Sequence, residues 1–248
     1  MPTHLRAVLF DAVGTVLYPD PAAPAAYYAA GRRFGSQLTV LEVTRRYEAA
    51  FRRQEAIDQH SGQGRTDEAR EERRWRAIVA DVFADVPDVD GLFRHLWHHF
   101  ASPSNWGVFA DVAGTWRALE QQGLTLGLAS NFDARLVSVC QGFEPLAGCD
   151  KLFISSRLGA RKPHPGFFAA IQTALGLEPG EIMLVGDSLQ HDYHAALAAG
   201  WQAVHVCRDG AGSEAVGSIC DLAELLPPTR GGERVRGDQL HSEREKRP

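Results

Sequence analysis

Short apolar runs at residues 5–10, 124–129, 152–155, 182–185 and 203–206 punctuate the chain. Each ends at or near a polar or glycine-containing turn, the pattern of strands buried on both faces of a parallel sheet. Between them, residues 112–121, 134–141, 165–175 and 192–199 carry apolar positions at helical spacing. Strand and helix therefore alternate from about residue 110 to 207, which predicts an α/β fold, Rossmann-like, with a doubly wound parallel sheet.

The stretch from residue 18 to 100 differs in kind. It is rich in Ala, Arg and Glu, shows no strand pattern, and repeats apolar residues at helical spacing over 41–57 and 75–83. Breaks at 19–24, 35–39, 61–66 and 87–91 leave room for three or four helices, and 101–107, with Pro103 and Gly107, forms a return linker. The predicted organisation is an α/β core over 1–17 and 101–229, with a helical insertion over 18–100. After Pro227-Pro228 the chain turns polar and charged, which predicts a disordered tail over 230–248.

Composition narrows the function classes. With 248 residues, 44% of them hydrophobic, the chain can bury a sizeable core. A formal charge of -5 gives no electrostatic footprint for nucleic acid. The first apolar stretch is cut short at Asp11, and no window approaches the ~18 apolar residues of a membrane span. Cys140, Cys149, Cys207 and Cys220 form no CxxC pair, so neither a zinc site nor a disulfide framework is expected. The expectation is a soluble, cytoplasmic protein with no nucleic-acid or membrane partner; the oligomeric state is not legible.

Ligands of an open parallel sheet bind beyond the carboxyl ends of its strands. Asp11 follows the first strand, Ser130-Asn131 the second, Lys162-Pro163 lies in the loop beyond the third, and Gly186-Asp187-Ser188 follows the fourth with Asp192 a turn later. Folding the sheet brings all four places to one edge. Asp11 and Asp187 can hold Mg²⁺ through oxygen ligands, and the metal charge offsets repulsion between a carboxylate nucleophile and a phosphoryl group. The Ser130 hydroxyl, nearby N–H groups and the Lys162 ammonium can hold the remaining phosphoryl oxygens. Lys162 is one of three lysines among 26 basic residues, so its position here stands against a strong bias toward Arg.

These fragments, Phe10-Asp11-Ala12-Val13-Gly14-Thr15, Ala129-Ser130-Asn131-Phe132-Asp133, Arg161-Lys162-Pro163 and Gly186-Asp187-Ser188-Leu189-Gln190-His191-Asp192, resemble in content and order the haloacid dehalogenase-like hydrolase superfamily. The resemblance covers roughly residues 5–207. It implies that the helical insertion is a mobile cap that closes over the site. It also implies that Asp11 is the nucleophile, that Ser130, Asn131 and Lys162 bind phosphate, that Lys162 assists catalysis, and that Asp187 with Asp192 supports Mg²⁺. The expected activity is then Mg²⁺-dependent hydrolysis of a small phosphorylated metabolite through an aspartyl-phosphate.

One position departs from the superfamily's phosphatases. A second Asp, two residues after the nucleophile, normally protonates the leaving alcohol and later activates water; here Val13 stands in its place. The Val13 carbonyl can still ligate metal, but the side chain can do neither job, and general acid-base help is worth roughly 10²–10⁴-fold. Weak phosphatase activity is therefore expected. The 2-haloacid dehalogenases, which release halide and need no proton, are an alternative, as is a low-activity binding or interaction module. Against dehalogenation, Asp187 places a further carboxylate beside the nucleophile. Phosphonate cleavage through a cap lysine is excluded, because residues 1–100 contain no Lys.

Other polar clusters carry less. Asp187, Asp192, Ser130 and Asn131 also suit helix N-termini, where capping and phosphate binding use the same N–H groups. His95, His98 and His99 read as a partly exposed helix face, Arg32, Arg33, Arg45, Arg46, Arg52 and Arg53 as a solvated one, and Trp75, Phe83, Trp97 and Trp106 as cap core or hinge packing. His191 is a substitute proton donor only if it reaches the site.

Overall fold

The computed structural model describes residues 4–60, 64–208 and 218–227. Strand β1 (Ala7–Phe10) is apolar throughout because both its faces are covered. Val8 and Phe10 enter one cluster with Trp116, Leu128 and Leu136, while Ala7 and Leu9 enter a second with Phe167, Ile171 and Leu184. Alternation along the strand divides its side chains between two layers of helices.

Around β1 the chain builds a six-stranded parallel sheet. The other strands are β4 (Thr125–Ser130), β5 (Leu152–Ile154), β6 (Ile182–Gly186), β7 (Gln202–Val206) and β8 (Ser218–Ile219), in the spatial order β5-β4-β1-β6-β7-β8. In register, Phe10 lies beside Leu128 on one flank and Val185 on the other. The sheet thus grows away from β1 in both directions, and its carboxyl edge at β1 is a topological switch point, where such folds bind ligands. The connecting helices are α5 (Val112–Gln121), α6 (Arg135–Gln141), α7 (Ser155–Leu158), α8 (Pro165–Leu175) and α9 (Ala195–Ala198).

Four helices, α1 (Ala23–Arg33), α2 (Val40–His60), α3 (Glu68–Val82) and α4 (Val89–His99), follow β1 and pack around a separate cluster centred on Tyr27, Ile78, Phe83 and Leu92. Asp67 and Asp88 accept hydrogen bonds from Arg70 and Gly91 N–H groups and so cap α3 and α4.

Three features differ from the sequence pattern. The two crossings between sheet and helices are antiparallel strands, β2 (Leu17–Pro19) and β3 (Trp106–Val108), rather than loops. At three residues each, and containing Pro19 and Gly107, they show no periodicity, and their pairing joins positions about 90 residues apart. The expected helix at 192–199 opens instead as a wider π-turn over Leu189–His194, in which Tyr193 N–H reaches Ser188 O. The apolar run at 152–155 ends as strand at Ile154, and Ser155 already begins α7. The tail expected over 230–248 lies outside the described residues. Among the described residues, no helix is long and apolar enough to cross a membrane.

Candidate active site

The carboxyl ends of β1, β4 and β6 bring the predicted polar groups into one cleft of about 410 Å³ beneath the helical unit: Asp11, Val13, Ser130, Asn131, Lys162, Asp187 and Asp192 all line it. Lys162 organises the floor. Its buried ammonium donates to Asp11 Oδ1 at 2.7 Å, to Asp192 Oδ1 at 2.5 Å and to Ala129 O at 2.8 Å, so all three of its protons are committed. Burial alone would lower its pKa, but Asp11 and Asp192 overcome that and hold it at about 12. The loop carrying Lys162 is fixed by Asn131, whose Nδ2 donates to Lys162 O at 2.9 Å while its Oδ1 accepts from Lys162 N at 2.8 Å. Asn131 therefore reaches the cleft with its amide already engaged on both sides. Ser130, at the end of β4, is buried beside Asp11 and its hydroxyl favours the Asp11 carboxylate.

Two carboxylates meet this ammonium, and a third stands beside them. Asp11, Asp187 and Asp192 each offer an oxygen within 4.8 Å of the others. Two glycines permit it: a Cβ on Gly14, at φ +83°, would stand 2.3 Å from Asp187 Oδ2, and one on Gly186 would stand 2.3 Å from Asp192 Cγ. Asp192 is the most committed of the three, since Oδ1 accepts from Lys162 and Oδ2 from Ser188 N–H at 3.0 Å. Asp187 is the exposed member, with Thr15 Oγ1 at 3.5 Å. Packing around its carboxylate, with the Asp11 and Asp192 charges, nevertheless pushes its pKa up to about 7. Burial likewise raises Asp11, against the pull of Lys162.

An all-oxygen, net-negative cluster of this kind suits a hard divalent cation such as Mg²⁺. It also sets a pH dependence. With Asp187 raised from 3.8 to about 7, its contribution to stability is complete at acid pH and is lost as pH rises through about 7. Metal binding needs the ionised form, so protons compete with it. The Mg²⁺-induced increase in Tm should therefore be larger at about pH 8 than at about pH 5, and Asp187→Asn should shrink that difference. Equal increments at both pH values would contradict a metal role for the cluster.

The walls of the cleft were the least legible part. Tyr47, Phe51 and Trp75 from the helical unit, with Phe100, Trp106 and Phe132 near the crossings, line it. Trp75 and Trp106, expected to be packing residues alone, face the cleft; Phe83 lies in the helical core, and Trp97 stacks on Arg135 at 3.6 Å. Beside the rings, Glu55, Arg74 and Arg161 also line the cleft and belong to an ion cluster that gave no motif. Arg161 donates to Glu71 Oε1 at 2.7 Å and Glu55 Oε1 at 3.0 Å, and lies 3.4 Å from Asp58 Oδ2. Arg74 meets Glu55 and Asp58, the latter at 3.2 Å, and Arg70 pairs with Asp58 at 2.6 Å. The only trace in the sequence is helical spacing, with Glu55 and Asp58 on one turn of α2 and Glu71 and Arg74 on one turn of α3.

His191 lines the cleft, with Nε2 3.6 Å from Glu55 Oε2. Desolvation outweighs the neighbouring carboxylates and lowers its pKa, so it is a poor proton donor at neutral pH. His95 packs on Phe34 and His99 on Phe100, outside this cleft. The six arginines expected on a solvated face are exposed.

Residues 5–200 match the family model for haloacid dehalogenase-like hydrolases. The chain belongs to that family. Among haloacid dehalogenase-like relatives, the domain-containing protein 3 of Danio rerio is 27% identical over 205 residues, covering 81% of this chain and 84% of the relative. The protein of the same name from Homo sapiens is 27% identical, with 90% and 93% covered. A haloacid dehalogenase-like phosphatase from Thermococcus onnurineus has a similar structure, with a TM-score of 0.65, 26% identity, and 93% of this chain and all of that chain covered. A 2-haloacid dehalogenase from Pseudomonas syringae shares the fold with a TM-score of 0.64 at 19% identity, covering 89% and 96%.

Proposed function

We propose that this haloacid dehalogenase-like hydrolase is a Mg²⁺-dependent phosphatase of a small phosphorylated metabolite, acting through an aspartyl-phosphate at Asp11. The observation that carries the reading is the cluster of three carboxylates, two of them bound to one fully engaged ammonium. A carboxylic substrate would meet net negative charge there, whereas a phosphate ester arriving with a divalent cation would not. The phosphatase name of the 26%-identical Thermococcus relative points the same way.

Asp11, Asp187 and the Val13 carbonyl, with Asp192 in support, would hold Mg²⁺, which when bound screens the attacking carboxylate from the phosphoryl group. Lys162 holds the Asp11 carboxylate through Oδ1, and its charge opposes the rise in pKa that burial imposes. One Asp11 oxygen attacks phosphorus while the ester oxygen departs with the bonding electrons. The Ser130 hydroxyl and local N–H groups orient the phosphoryl oxygens, Lys162 contributes its charge while its protons stay on Asp11, Asp192 and Ala129, and Asn131 holds the Lys162 loop in register. The helical unit over 18–100 acts as the cap that encloses the reaction. Water then cleaves the aspartyl-phosphate, returning Asp11 and releasing inorganic phosphate.

Without a carboxyl at position 13, both halves of the cycle lose their proton carrier. Phosphate release from a panel of monoesters with Mg²⁺, set beside halide release from 2-haloacids, tests the assignment. Phosphate release alone is expected, with an initial burst of leaving group as the covalent form accumulates. Val13→Asp should raise turnover of alkyl phosphates by about 10²-fold or more. Val13 is also the feature that favours a second reading, dehalogenation, since halide needs no proton; halide release without phosphate release would establish it. Silence in both assays, with metal still bound, would leave a binding module.

A further inference from the structure

We infer that the organic part of the substrate is a small, uncharged aromatic group whose ester oxygen sits directly on the ring, so that the protein hydrolyses monophosphates of the phenol type. This rests on the phosphatase reading and specifies its substrate. Three independent features of the cleft converge on it.

The first is the leaving group. Val13 lines the cleft where a proton donor would stand, so the departing oxygen leaves as an anion. An aliphatic alkoxide is about as basic as hydroxide, the conjugate base of water at pKa 15.7, whereas a phenolate has a conjugate acid near pKa 10, as in tyrosine. The phenolate therefore departs without help that an alkoxide needs. In balanced form, an Asp11 oxygen bonds to phosphorus and the phosphorus–aryl oxygen bond breaks, its electron pair going to the phenolate. Water then attacks phosphorus, the Asp11–phosphorus bond breaks, and dihydrogen phosphate and the Asp11 carboxylate separate. The phenolate takes its proton from solvent.

The second is the walls. Phe51 and Trp75 stand with centroids 6.2 Å apart on the cap side, and Trp106 and Phe132 at 5.9 Å on the other. A ring held between such walls makes offset or edge contacts on several sides. A cleft of about 410 Å³ accommodates a phosphoryl group with a one- or two-ring partner, since about 150 Å³ suffices for benzene.

The third is charge. Among the described residues, every Arg and Lys lining the cleft is already matched. Arg74 and Arg161 share Glu55, Asp58 and Glu71, Arg135 forks onto Asp133 at 2.8 and 2.7 Å, and Lys162 holds Asp11 and Asp192. A second anionic group on the substrate would have to break one of these pairs, so the leaving portion is neutral.

The test measures kcat/KM for phosphate release by the Mg²⁺-loaded full chain. Phenyl phosphate is compared with benzyl phosphate, glucose 6-phosphate, 3-carboxyphenyl phosphate and acetyl phosphate. Phenyl phosphate should exceed benzyl and glucose phosphates by about 100-fold, the size of the missing acid catalysis. It should exceed the carboxyphenyl ester by about tenfold, although the carboxylated phenol is no worse a leaving group. Trp75→Leu should lower the phenyl-to-acetyl phosphate ratio of kcat/KM by about five- to tenfold through KM, and Phe51→Leu should do the same if the first variant does not fold. Phosphate release in which benzyl or glucose phosphate comes within about threefold of phenyl phosphate, or in which the carboxyphenyl ester is preferred, would overturn this substrate class and leave the phosphatase reading intact. An absence of phosphate release from every ester would remove both.

Discussion

Asp11→Asn is expected to abolish turnover, lowering kcat on the order of 10⁴–10⁶-fold, because a carboxamide of the same shape cannot attack phosphorus and no neighbouring group takes over. The leaving-group burst should vanish with it, which separates loss of the nucleophile from slow product release. Folding should survive. Burial raises the Asp11 pKa, so the ionised side chain is held at a cost in the metal-free protein, and Asn at that position removes a charge from a crowded cluster. Lys162 retains Asp192 at 2.5 Å. The metal-free variant should therefore melt no lower than the parent near pH 8, a sign set by a carboxylate whose folded pKa is raised. Residual turnover within about tenfold of the parent would remove Asp11 from the chemistry.

Arg161→Ala should be the most damaging change away from the reacting atoms. Its guanidinium serves Glu55, Asp58 and Glu71, all largely buried, and its backbone N–H donates to Gly64 O at 2.8 Å where residues 64–66 run against 159–161. Removing one partner from a buried ion cluster leaves uncompensated charge, typically worth about 3–5 kcal/mol. In a chain of this size that corresponds to a fall in Tm of roughly 6–20 °C. Arg161→Lys should recover only part, because a compact ammonium lacks the separated guanidinium nitrogens that reach Glu71 and Glu55 at once. The damage should reach activity as well, since Arg161 adjoins Lys162 and ties the helical unit to the loop that carries it. A Tm shift below about 2 °C would mean the cluster relaxes without it.

The parallel sheet could be read from sequence because each strand is short, apolar on both faces and closed by a turn. Asp11, Ser130, Lys162 and Asp187 could be read because strand ends in such a sheet share one edge. Trp75, Trp106, Arg74 and Arg161 could not be assigned in this way. A tryptophan at helical spacing looks the same whether it meets a core or a cleft, and the partners of Arg161 lie 90 or more residues earlier in the chain. The strands at the two crossings, β2 and β3, were hidden for the same reason, since three residues cannot show a period.

Local order alone thus determined the sheet, the edge where the candidate site lies and the valine that stands at position 13. Only the tertiary structure decided which rings wall the cleft and which cations are already neutralised. Periodicity is a property of neighbours along the chain, whereas charge pairing and enclosure depend on distances between segments that the chain brings together only when it folds.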